Sequence, residues 1–99
     1  SAMKAFVTVA DARGFAPAAH RLGLSPSVVT RLVARLESQL GIRLLQRTTR
    51  SVTLTDAGTR YLERARRVLS ELEEAEESAS AERARPTGRL VVAMDGLES

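Results

Sequence analysis

Between Ala18 and Leu40 the chain reads AAHRLGLSPSVVTRLVARLESQL: a short helical run, a three-residue break, then a longer run with two unlike faces. Ser25 is a good helix N-cap, and Pro26 suits the first helical position, where its missing N–H would have had no partner. From there Val29, Leu32, Val33, Leu36 and Leu40 recur at spacings of three and four, which sets them on one stripe that must face a core. Ser27, Thr30, Arg31, Ala34 and Ser38 fall on the opposite stripe. That outer face is small, polar and cationic, with Glu37 only on its flank, so it can approach a polyanion closely. Gly23-Leu24 supplies the sharp turn before it, Gly for backbone freedom and Leu24 as an apolar anchor. A short helix, a tight turn and a second helix with this outer face make a helix-turn-helix, whose second helix enters the DNA major groove.

The distribution of charge agrees. Residues 1–54 carry eight Lys/Arg against Asp11 and Glu37, a net charge of +6, whereas the remaining residues carry seven Arg against ten Asp/Glu, a net of −3, giving +3 for all 99. A basic first half joined to an acidic second half suggests one nucleic-acid face and one protein face. The sequence has no Cys, which excludes disulfides, thiolate nucleophiles and cysteine-ligated zinc. No long apolar run or signal-peptide pattern is present, so a cytoplasmic chain with no membrane partner is expected.

Around this motif the sequence predicts a mainly α fold: three helices, a two-stranded β wing and a long dimerisation helix. Met3 to Arg13 forms the first helix, with Met3, Phe6, Val7 and Ala10 as its apolar side and Gly14 ending it. Phe15 lies between helices. Ala16 to Leu22 is the second helix, with Pro17 tolerated in its first turn and Ala18 and Ala19 small enough for a close crossing. The third helix ends at Gly41, a left-handed cap. Over Ile42 to Thr55 the period changes. Leu44, Leu45, Gln46 and Arg47, then Val52 and Leu54 alternating with Thr53 and Thr55, argue two short strands joined through Thr48, Thr49, Arg50 and Ser51.

Thr55-Asp56 caps a further helix, running from Asp56 to about Arg85, where Pro86 and Gly88 stop it. Leu62, Ala65, Leu69 and Leu72 repeat along it, widened by Tyr61 and Val68 and continued by Ala79. A helix of this length, roughly 45 Å at about 1.5 Å per residue, is too long to bury its stripe on a 54-residue globule, so a second copy is its expected partner. Docking of the stripe on its own domain is the alternative. After the hinge at 86–88, Arg89 to Met94 reads as one buried strand with nothing to pair with, so the chain is expected to continue into something longer; Asp95 to Ser99 carry no readable element. The expected domains are 1–54 for DNA binding, 55–85 as linker and dimerisation helix, and 86–99 as a hinge and the first strand of an effector domain.

Several ordered pieces together resemble the N-terminal domain of LysR-type transcriptional regulators: Ala18-Ala19 with Leu22, the helix from Ser25 to Leu36, Leu40-Gly41 with Leu44, and Leu54-Thr55 with Ala57-Gly58. The resemblance runs from about Met3 into the segment Gly88 to Ala93. It implies a winged helix-turn-helix that binds double-stranded DNA as a homodimer through the linker helix. It also implies a following effector domain that senses a small molecule and sets a tetramer, beyond all but its first strand here. By resemblance, Pro26, Ser27, Thr30 and Arg31 match the major-groove reader, Ser25 and Arg35 positions near phosphates, and Arg50 the wing residue that reaches the minor groove. Two places depart from the family: Gly14 and Ala16 stand where Ser and Thr are frequent, and Pro26-Ser27 where Gln-Pro is frequent.

Each reading has a plainer rival. Arg31 is assigned to a base rather than to solvent because arginine bidentate to guanine is the commonest specific contact. Arg50 suits a narrow minor groove, which attracts arginine electrostatically. Arg47 has two open readings, a DNA contact or an ion pair with an acidic neighbour. His20 reads as a partly exposed structural residue or at best a phosphate neighbour, since a metal site needs several ligands, and neither a metal nor another cofactor is expected. The Glu71-to-Glu77 run is a solvated face beside the dimer seam. Two other functions compete with a DNA-binding regulator. A protein-interaction module would favour aromatic hot spots over this Ser/Thr/Ala face. An enzyme would need a nucleophile–base pair, metal cluster or Gly-rich phosphate loop, and no catalytic residue is expected.

Overall fold

The computed structural model describes residues 1–48 and 51–84. Arg50, the helix beyond Ala84, and the hinge and strand expected over 86–94 lie outside the described residues. Within them the order is α1 (Ala2–Ala12), α2 (Phe15–Leu22), α3 (Pro26–Leu40), β1 (Leu45–Arg47), β2 (Val52–Leu54) and α4 (Asp56–Ala84). This is the expected winged helix-turn-helix followed by a long helix.

Serines open two of the helices by the same chemistry. The Ser1 hydroxyl accepts from the Lys4 N–H at 3.2 Å, and the Ser25 hydroxyl from the Val28 N–H at 3.3 Å, each satisfying an orphan donor of a first turn. Gly23 and Gly41 close α2 and α3 in the left-handed region. At the end of α1 the expectation is corrected. Arg13, not Gly14, takes the left-handed cap (φ 61°), its N–H bonded to the Val9 carbonyl at 2.8 Å. Gly14 is instead the extended residue that starts α2, and Phe15 is the first residue of that helix rather than a linker.

The core gathers one face from each of the first three helices and the root of the wing. Phe6, Val9, Val29, Val33, Leu44 and Leu45 are fully buried, with Ala5, Ala18, Ala19 and Leu36 packed among them. Each large side chain removed from water in this way contributes about 1.5–3 kcal/mol. The buried side of α1 is Ala5, Phe6 and Val9, so the expected stripe of Met3, Phe6, Val7 and Ala10 is rotated. Small alanines let the helices approach, and a pattern that weights only large apolar residues misses that face. Two leucines are also corrected. Leu24 is 42% exposed and Leu40 41% exposed. The turn at Leu24 is anchored by its N–H on the Ala19 carbonyl (3.0 Å), not by its side chain, and Leu40 sits in the last turn of α3, past the core.

β1 and β2 pair antiparallel with Leu45 opposite Leu54, Gln46 opposite Thr53 and Arg47 opposite Val52. The pairing extends one step, with the Thr48 N–H on the Ser51 carbonyl at 2.9 Å and the Ser51 N–H on the Thr48 hydroxyl at 3.0 Å.

Two units are distinguished along the chain, Ser1–Leu69 and a second beginning at Ser70. In the first unit the start of α4 completes the core. The Tyr61 ring meets the Phe6 ring edge-on at 5.6 Å, Leu62 packs half-buried beside it, and Ala65 is 1% exposed. Ala65, one of the residues of the stripe expected to form a dimer seam, is therefore packed within its own unit. Arg66 forms an ion pair with Asp11 of α1. Leu69 is half-buried and Val68 is 51% exposed. In the second unit, residues 70–84 are helical and exposed throughout, Leu72 at 51%. Among the described residues no helix is long and apolar enough to cross a membrane.

Candidate nucleic-acid interface

The outward face of α3 is built from its cap. Ser25 holds the first turn, and its hydroxyl also lies 3.2 Å from that of Ser27. Pro26 occupies the first helical position, and the Thr30 hydroxyl donates to the Pro26 carbonyl at 2.9 Å. Thr30 is half-buried, whereas Ser27, Arg31, Ala34, Arg35 and Ser38 are exposed. Burial of Val29, Val33 and Leu36 on the other side fixes this orientation, because helix periodicity couples the two stripes.

The electrostatics follow from where the acids go. Residues 1–54 contain only two, and both are engaged. Asp11 is paired with Arg66, and Glu37 turns its carboxylate onto two backbone N–H groups. Among the described residues neither Arg31 nor Arg35 has an ion-pair partner, so α3 presents two uncompensated cations. Arg47 lies on β1, and among the described residues it has no acidic partner. Its guanidinium lies over the Phe15 ring, 4.7 Å from the centroid, not against an acid. Such a contact at an exposed site is worth about 0.5–1 kcal/mol. Because the N–H donors lie in the guanidinium plane, stacking leaves them open to phosphate or carbonyl acceptors. His20 is exposed. Among the described residues no group of three His, Cys, Asp or Glu side chains is placed to hold a metal ion.

The wing is set by a junction that the sequence reading passed over. Glu37 Oε2 accepts from the Leu44 N–H at 2.8 Å and the Leu45 N–H at 3.1 Å. The Leu44 carbonyl accepts from the Thr55 N–H at 3.0 Å, and the Thr55 hydroxyl donates to the Arg43 carbonyl at 2.7 Å while accepting from the Gly58 N–H at 2.9 Å. A Cβ on Gly58 would stand 2.0 Å from the Leu44 carbonyl oxygen, so only glycine fits. One signal was available: a glycine inside a helix costs about 1 kcal/mol relative to alanine, and its presence asks for a close contact. Thr55→Val removes both the cap and the bond to Arg43, and is expected to lower stability by about 1–2 kcal/mol in urea unfolding. An unchanged midpoint would show that Thr55 does not fasten the junction.

Comparison with known proteins comes to the same place. The family model for bacterial regulatory helix-turn-helix protein, lysR family, matches residues 1–59. The chain is similar to the HTH-type transcriptional regulator CrgA of Neisseria meningitidis, 44% identical over 87 residues, which are 88% of this chain and 29% of that protein. It is also similar to the HTH-type transcriptional regulator PtxR of Pseudomonas aeruginosa, 46% identical over 86 residues, 87% of this chain and 28% of that protein. The chain thus spans less than a third of the length of these relatives. Among solved structures, the CbnR_DBD-DNA complex superimposes with a TM-score of 0.74 at 43% identity, over 85% of this chain and 95% of that one. The BenM_DBD/catB site 1 DNA complex does so with a TM-score of 0.79 at 27% identity, over 85% of this chain and 93% of that one.

Proposed function

We propose, for a chain that belongs to the lysR family of bacterial regulatory helix-turn-helix proteins, sequence-specific binding of double-stranded DNA in transcription regulation. The observation that carries the proposal is the outer face of α3, small, exposed and cationic, with Arg31 and Arg35 unpaired among the described residues. That two of the similar structures are DNA complexes supports it. In this reading the start of α3 enters the major groove. Arg31 reads a base, Pro26, Ser27 and Thr30 line the groove, and Ser25 and Arg35 lie against the adjoining backbone. The wing lies along the minor groove, with Arg47 stacked on Phe15 and facing phosphates, and with Arg50 as its reader. Residues 1–54 would carry the DNA face and 55–85 the dimer contact. The role is binding rather than catalysis, and its place is the cytoplasm.

Arg31→Ala is expected to cost roughly 1–3 kcal/mol on a matched site and to relax base preference at one position per half-site, read by competition against single-base variants. Equal weakening on matched and random DNA would instead assign Arg31 to a phosphate.

A dyad site calls for a homodimer, each subunit placing α3 in one major groove. With Ala65 and Leu62 packed in their own domain, the seam is left to Leu69 and Leu72, and Val68 adjoins them in sequence. Leu72→Asp is expected to turn a sedimenting dimer into a monomer. A dimer that survives this change would put the seam elsewhere.

A further inference from the structure

We infer that Glu37 is a positioning residue that locks the wing to the recognition helix, so that major- and minor-groove contacts form together or not at all. The inference rests on the DNA-binding reading above. Glu37 belongs to α3, yet its Oε2 accepts the N–H of Leu44, just before β1, and of Leu45, the first residue of β1, seven and eight positions along the chain. Among the described residues Glu37 is the α3 side chain that hydrogen-bonds to β1. The carboxylate is half-buried, where a charge-assisted bond to backbone N–H is stronger than in open water. The Glu37 carbonyl also receives the N–H of Gly41 (2.8 Å) and Ile42 (3.3 Å), so one residue both ends the helix and starts the strand. Leu44 is held from its other side by the Thr55 N–H on its carbonyl.

The consequence is geometric. Arg31 and Arg35 project from the helix that carries Glu37, and Arg47 lies two residues beyond Leu45 on the strand that Glu37 grips. The side chain therefore fixes the offset between the two sets of cations without touching DNA. A sequence whose half-site and flanking minor groove are spaced to match is favoured, because the root of the wing is already held before binding. Glutamine at this position keeps the acceptor oxygen and loses the charge; alanine loses the acceptor.

The test uses the whole chain on its selected DNA site, with two footprints that report different grooves. Dimethyl sulfate protection reads guanine N7 in the major groove, and hydroxyl-radical protection reads the sugars lining the minor groove. Glu37→Ala is expected to keep the N7 protection, to lose the flanking hydroxyl-radical protection, and to bind about tenfold more weakly, the scale of one lost charged contact. Glu37→Gln is expected to keep the N7 protection in full and to weaken the flanking hydroxyl-radical protection only in part, since it keeps the acceptor and loses the charge. Should Glu37→Ala fail to fold by circular dichroism, Glu37→Gln decides alone: flanking protection weakened with N7 protection intact supports the inference. Footprints that fall in parallel, or that both persist in Glu37→Ala, overturn it. A wild-type chain that leaves neither footprint overturns the DNA-binding reading itself, an outcome distinct from a wild-type chain that leaves both.

Discussion

Gly58→Ala is expected to destabilise the protein by at least about 3 kcal/mol, with a fall in melting temperature of roughly 10 °C or more. On helix propensity alone the change would help, by about 1 kcal/mol. The opposite sign is expected because the new methyl would stand 2.0 Å from the Leu44 carbonyl oxygen, a backbone atom with no rotamer to escape into. Leu44 cannot yield cheaply. Its side chain is fully buried, its N–H is held by Glu37 and its carbonyl by Thr55. Relief would come only by moving α4 away from the root of the wing, which breaks the Thr55 bonds as well. The same displacement would shift β1 and with it Arg47, so DNA affinity should fall alongside stability. Differential scanning calorimetry on Gly58→Ala checks the sign, and a raised melting temperature would mean that α4 and Leu44 are not in contact.

Phe6→Ala should cost about 3–5 kcal/mol, a large share of the stability of a domain this size. Phe6 is entirely buried in α1, between the helix-turn-helix and α4. Removing it empties space that Val9, Val29 and Val33, themselves fully buried, have little freedom to fill. It also removes the edge-on contact with Tyr61, worth about 0.5–1.5 kcal/mol beyond area. Phe6→Leu should lose less than half as much, since most of the volume is retained. Urea unfolding of the two variants gives the comparison. A Phe6→Ala loss below about 1 kcal/mol would show that α1 and α4 do not share a core, since a buried phenylalanine has no cheaper way out.

What was legible in the sequence is what local physics decides. α3 could be bounded at both ends because Ser25, Pro26 and Gly41 each have a local conformational role and because its apolar stripe has a helix period. The wing showed itself by the switch to alternation after Ile42. α4 announced its start through Thr55-Asp56. The misplacements arise where a partner distant in sequence decides. α1 buries Ala5, Phe6 and Val9, not the stripe drawn through Met3 and Ala10, because the neighbouring helices select the small face. Leu24 and Leu40 look like core residues by type, but the core ends before them. Arg13 takes the left-handed cap beside a glycine that would adopt it more easily, since α2 requires an extended residue at Gly14. Glu37 read as a stray acid on the flank of a basic face; its role depends on N–H groups that only the fold brings to it. The long stripe of α4 divides between two uses: Tyr61, Leu62 and Ala65 serve the domain's own core, while Val68 and Leu72 stay exposed. Periodicity alone assigned them to one seam.

Selection of binding sites from random DNA, followed by fluorescence anisotropy on the winner and on a scrambled control in moderate salt, tests the central claim most directly. The expected result is a dyad-symmetric winner, its half-sites a whole number of helical turns apart, bound at least about a thousandfold more tightly than the control. No enrichment, with equally weak binding to both DNAs that vanishes as salt rises, would contradict it and leave the cationic face of α3 as a surface for something other than a DNA sequence.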